Sequence, residues 1–113
     1  MSAELIREVL DALERGEDVP RDRQREAVKA SLAELTDKAP GRSVEVRVPP
    51  LAAVQAIPGA THRRGTPPAV VETDPRTWLA LALGRLTWSE AVVAGRVRAS
   101  GARSDLSGYL PLV

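Results

Sequence analysis

Apolar and polar residues alternate in two different periods along this chain, and the switches between them mark its elements. From Ala3 to Arg15, Leu5, Ile6, Val9, Leu10 and Leu13 recur at helical spacing, with Glu4, Arg7, Glu8 and Asp11 opposite. This predicts an amphipathic helix, with Ser2 as N-cap and Gly16 as its stop. A second helix is expected from Pro20 to about Lys38, with Val28, Leu32 and Leu35 as its apolar stripe and Gln24 and Ser31 at the edge. Its opening run RDRQRE reads as a solvated face with local Arg–Glu pairs.

The period then changes to two. Ser43 to Val48 alternates cleanly, with Val44, Val46 and Val48 on one side of a half-buried strand. Pro49-Pro50 marks a corner, since proline donates nothing to a ladder. Leu51 to Ile57 is apolar on both faces except at Gln55, which predicts a second, more deeply buried strand. Pro58 to Pro68 reads as a loop and Ala69 to Thr73 as a third strand.

Helical spacing returns at Asp74-Pro75, an N-cap followed by proline at the first helical position. Gly84 closes that helix. Thr87-Trp88-Ser89-Glu90 is a capping box for the next one, which Gly95 closes. Arg96 to Ser100 alternates again, with Val97 and Ala99 expected inward. Ser104 or Asp105 can cap a last short turn that carries Leu106, Tyr109 and Leu110. Strands and helices are partly segregated, which favours an α+β fold.

Composition narrows the function. The 113 residues suit one domain, 1–113, made of a helical segment (1–40) and a core (41–113). A net charge of +1 argues against a nucleic-acid partner or an anionic membrane surface. With no cysteine and one histidine, thiol chemistry is excluded and no His- or Cys-based metal site is expected. No run is long enough for an integral membrane segment, and the start of the chain lacks a signal-peptide pattern, so the expected location is cytoplasmic.

Three groups of residues could carry chemistry. Trp78 to Leu83 is apolar around nearly the whole helix, so it is buried on most sides, either as core or as the wall of an apolar cavity. His62, Arg63 and Arg64, on a loop shaped by Gly and Pro, could meet a carboxylate or phosphate, or could simply keep the loop soluble. Glu72 and Asp74 could meet a cation, but Asp74 is already explained as an N-cap. No nucleophile context or phosphate-binding glycine loop is present, so neither an enzyme nor a cofactor is expected.

The run TDPRTWLALALGRLTWSEAVVAGRVRASGARSDLSGYL resembles the C-terminal half of the sterol carrier protein type 2 family. The matching order is a polar helix start, an apolar helix, Gly84, a helix holding Ala91, Gly95, an alternating strand, Gly101 and a leucine-bearing end. From Gly41 onward, GRSVEVRVPPLAAVQAIPG and THRRGTPPAVVETDP look more narrowly like small actinobacterial proteins named after sterol carriers. The resemblance implies a twisted, mainly antiparallel sheet of four to five strands covered by helices, with an apolar tunnel between. It also implies non-catalytic binding of an apolar small molecule or lipid: a fatty acyl chain, acyl-CoA or a sterol. The ligand-binding wall would come from Trp78, Leu79, Leu81, Ala82, Leu83, Trp88, Val92, Leu106, Tyr109 and Leu110, with His62, Arg63 or Arg64 near a polar head group. The alternative is an interaction module without a ligand. It would be a homodimer formed through the stripe of the first helix, Leu5, Ile6, Val9 and Leu13.

Overall fold

The computed structural model describes residues 2–59, 69–101 and 104–113. Two helices come first, α1 (Ser2–Glu14) and α2 (Arg21–Lys38). Three strands follow: β1 (Val44–Val48), β2 (Ala52–Ala56) and β3 (Ala69–Thr73). Helices α3 (Pro75–Leu83) and α4 (Trp88–Val93), strand β4 (Val97–Ser100) and a 3₁₀ turn (Ser107–Tyr109) complete the order. Ser2 lies within α1 rather than before it, and Pro20 sits just outside α2 rather than as its first residue. Its carbonyl still accepts from Arg23 N and Gln24 N, at 3.0 and 3.1 Å, which starts the helix one residue later than expected.

The fold is α+β. Its open, mixed sheet has the order β2-β1-β3-β4. β1 pairs antiparallel with β2, and β3 antiparallel with β4, while β1 and β3 run parallel in the centre. Register puts Val44, Val46, Val48, Ala56, Ala69, Val71, Thr73 and Val97 on one face, all buried. Glu45, Arg47, Gln55, Glu72 and Arg98 project to the other, where Arg47 reaches Glu45 at 2.8 Å and Glu72 at 4.0 Å. A sheet covered on one side and wetted on the other shows this alternation.

Two strands depart from expectation. β2 is less buried than β1, with Ala53 and Gln55 exposed, because it forms an edge of the sheet. Ala99 lies exposed on β4, the other edge, although its partner Val71 is fully buried. For β4 the pattern marked the inward face but not its exposure, and for β2 an apolar run on both faces could not show that one face meets solvent.

The helices build the core against the inner face. α1 packs on α2 and α3, and α2 also packs on β2. Ile6, Val9 and Leu10 are completely buried, with Leu5 and Leu13 partly so. Of the four residues expected to meet a partner, Ile6 and Val9 are therefore spent within their own chain, against α2 and α3. Ion pairs sit at the rim of that packing: Arg23 to Glu8 at 2.6 Å, and Arg85 to Asp11 at 2.6 Å and Glu14 at 2.9 Å. Such exposed pairs contribute about 0–1 kcal/mol each, so burial supplies the stability and the pairs supply alignment.

One glycine is required by close approach. A Cβ on Gly41 would overlap the carbonyl of Ile57. That carbonyl also accepts from the Ser43 hydroxyl at 2.8 Å and from Ser43 N at 3.2 Å, which brings the start of β1 against the end of β2.

Candidate functional site

The site is built around α3, α4 and the segment that follows β4. Asp74 caps α3, accepting from Thr77 N at 3.0 Å and from the Thr77 hydroxyl at 2.6 Å. This use of the Asp74 carboxylate leaves it poorly placed for a cation, and no cluster of His, Cys, Asp or Glu suited to a metal occurs among the described residues. Pro75 follows at the first helical position, as its ring and missing N–H allow. Gly84 ends the helix in the left-handed region at φ 77°, where a side chain would be strained. In the next turn Thr87 accepts from Glu90 N at 3.1 Å while Glu90 accepts from Thr87 N at 2.9 Å, a reciprocal capping box. These bonds, the one from Thr87 N foremost, hold the Glu90 carboxyl below its ordinary value.

The apolar block splits into two environments. Trp78, Leu79, Leu81 and Ala82 are completely buried and Ala80 nearly so, while Leu83 is half-buried. Trp78 is held by more than packing. Its indole N–H donates to the Ser31 hydroxyl at 2.8 Å, which donates in turn to the Val28 carbonyl at 2.7 Å. Ser31 is thus wholly buried rather than at the edge of its stripe. Sequence periodicity had no way to signal this, because a buried serine with a distant partner looks like an edge serine.

A cleft of about 330 Å³ opens beside the turn between α3 and α4. Leu81, Leu86, Trp88, Leu110 and Pro111 give it apolar walls, and Thr87, Ser89 and Ser107 are the polar residues along it. Gly84 also lines it, and a Cβ there would stand 3.2 Å from Pro111. Residues after the 3₁₀ turn form the far wall and are tied down by backbone. Ala82, near the end of α3, uses its carbonyl to accept from Leu112 N at 2.9 Å and Val113 N at 3.2 Å. Lys38 Nζ donates to the carbonyls of Pro111 at 3.0 Å and Tyr109 at 3.3 Å. Leu106 and Leu112 anchor the segment in the core.

Of the residues expected to line a cavity, the structure brings Leu81, Trp88 and Leu110 together at this cleft. Tyr109 is half-buried next to it in sequence. Trp78, Leu79, Ala82 and Leu106 are interior to the core, Leu83 is half-buried, and Val92 is 46% exposed on α4. His62, Arg63 and Arg64 lie outside the described residues. Sequence reasoning missed Leu86, Pro111, Thr87, Ser89 and Ser107 as partners of Trp88 along the cleft. Their only common signal was proximity to the two glycine- and proline-bearing turns.

A second cleft, of about 270 Å³, lies at the opposite end of α3 and is polar, with Glu72, Asp74, Arg96 and Arg98 around it. Arg96 Nε donates to the Thr77 hydroxyl at 3.0 Å, so one side of this cleft is tied to the cap of α3. None of the helices described is long and apolar enough to cross a membrane.

Compared with known proteins, the chain has no match among curated ones. A family model described as "Bacterial SCP ortholog" matches residues 20–112, from the start of α2 through the far wall of the apolar cleft. The alternation of strands, the α3–α4 hairpin and the leucine-bearing end all fall inside that match, and the chain belongs to this sterol carrier protein-like family.

Proposed function

We propose that this protein binds an apolar ligand of the acyl or lipid kind, without converting it chemically, in the cleft beside Trp88. The observation that carries this reading is the cleft itself. It is an apolar concavity of about 330 Å³ walled by Leu81, Leu86, Trp88, Leu110 and Pro111, with Thr87, Ser89 and Ser107 beside them. Ligand sites have this composition and begin at about 300 Å³. Burial of carbon would drive binding, at ~0.8 kcal/mol per methylene. Family membership supports a carrier role over a catalytic one. So does the engagement of the nearby Glu90 carboxylate as a helix cap.

Native mass spectrometry of freshly purified protein, followed by organic extraction, tests this. A stoichiometric extra mass that extracts as lipid is expected. A clean mass that stays unchanged after incubation with fatty acids, acyl-CoA and sterols would overturn the reading.

One observation favours a second reading, an interaction module. Val93 is 86% exposed on α4 and Val92 46% exposed beside it, so an apolar corner of the hairpin faces solvent. On that reading, self-association would lower in a Val93→Asp variant, measured as molar mass in solution.

A further inference from the structure

We propose that the polar cleft at the start of α3 binds a phosphate group, free or on a small ester, through Arg96 and Arg98. This cleft lies at the other end of α3 from the one beside Trp88, so the two readings stand or fall separately.

A relay of hydrogen bonds builds this end of the sheet. The Thr73 hydroxyl donates to the Arg96 carbonyl at 2.7 Å, which fixes the entry into β4 beside the end of β3. Arg96 Nε donates to the Thr77 hydroxyl at 3.0 Å, and that hydroxyl donates to Asp74 at 2.6 Å. Thr77 is completely buried, so the Arg96 guanidinium is held against an anchored partner. A guanidinium carries five N–H groups, and this bond uses one of them. Arg98 lines the same cleft and stands opposite Glu72 in register.

Charge decides what such a cleft takes. Both of its carboxylates already have partners. Asp74 accepts from Thr77 N at 3.0 Å as well as from the hydroxyl, and it caps the end of α3 where the helix dipole offsets negative charge. Glu72 has Arg47 at 4.0 Å. The guanidiniums of Arg96 and Arg98 differ. All 15 Asp and Glu residues of the chain are among the described ones, and none pairs with either guanidinium within 4.0 Å. With Arg47 behind Glu72, three guanidiniums meet two carboxylates here, which leaves an excess of positive charge.

The chemistry of the donors and the size of the space select the ligand. Arginine presents its N–H groups in a planar fork that matches phosphate oxygens, and such charge-assisted bonds are about twice as strong as neutral ones. A volume of about 270 Å³ is the liquid volume of roughly nine waters. It holds a phosphate with a small substituent and is too small for a long acyl chain.

The test is an NMR titration of the full chain with inorganic phosphate and, separately, with glycerol 3-phosphate. Ionic strength is held constant with chloride, at about pH 7.5, where the phosphate carries more than one negative charge. Saturable amide shifts are expected, largest at residues 73–77 and 95–98. Arg98→Gln, at an exposed position, should weaken binding about tenfold by removing one charged fork. Arg25→Gln, a control at an exposed ion pair on α2, should leave it unchanged. A response to both probes, or to one alone, supports the site and tells whether its source is the free ion or the ester. Shifts centred on residues 61–64, equal losses in the two variants, or no saturable shift with either probe would overturn the inference and leave the reading of the Trp88 cleft untouched.

Discussion

The two tryptophans stand ten residues apart on consecutive helices, and they lead different lives. Trp78 is fully enclosed, with its N–H satisfied by Ser31. Trp88 is 9% exposed, sits at the start of its helix and forms a wall of the cleft. A large aromatic ring is worth most to stability where it is fully dry and its polar atom has a partner. It is worth most to binding where one face remains available. One helix turn, set by Gly84 and the Thr87 cap, separates these roles.

Substitutions can break this comparison. Trp78→Ala should have the largest effect, costing about 3–5 kcal/mol of unfolding free energy in urea melts, as large aromatic truncations in cores do. Trp88→Ala should cost about 2 kcal/mol less than that, since its ring is partly uncovered, while weakening fatty-acid binding at least tenfold. Equal costs for the two variants would erase the distinction. Ser31→Ala strands the Trp78 N–H in the core and should cost about 1–3 kcal/mol, with no change in fatty-acid affinity. Thr87→Ala removes one cap and should cost about 1 kcal/mol in the same melts.

The smallest effect is in pH. Glu90 is held below its ordinary value, chiefly by the bond from Thr87 N, so its cap is stabilising above that ordinary value of 4.5. The contribution is lost as pH falls through the lower folded-state value. A Glu90→Gln variant should therefore show a flatter acid limb in melts recorded below about pH 5.

Much of the fold was legible because its junctions carry local chemistry. Asp74-Pro75, Gly84 and the Thr87–Glu90 box each act within three or four residues, so the helices around the cleft could be read directly. The inward face of β1 was legible for the same reason, through its period of two. Ala99, β2 and Ser31 were not, because their burial depends on which element ends above them. The same limit applies to the site. Leu81, Trp88 and Leu110 share a cleft only because Ala82 and Lys38 hold the segment after the 3₁₀ turn in place, and those bonds join residues 30 to 73 positions apart.

The first helix lies outside the stretch matched to the family, yet it buries Ile6, Val9 and Leu10 against α2 and α3. Only the exposed segment from Arg15 to Asp18, with Val19 and Pro20 after it, connects it to α2. In thermodynamic terms α1 is a tethered ligand of the groove it fills, held there at an effective concentration in the millimolar range. A cut in that tether would turn an intramolecular contact into a bimolecular one. The stability of the remaining chain would then depend on how much free α1 peptide is present.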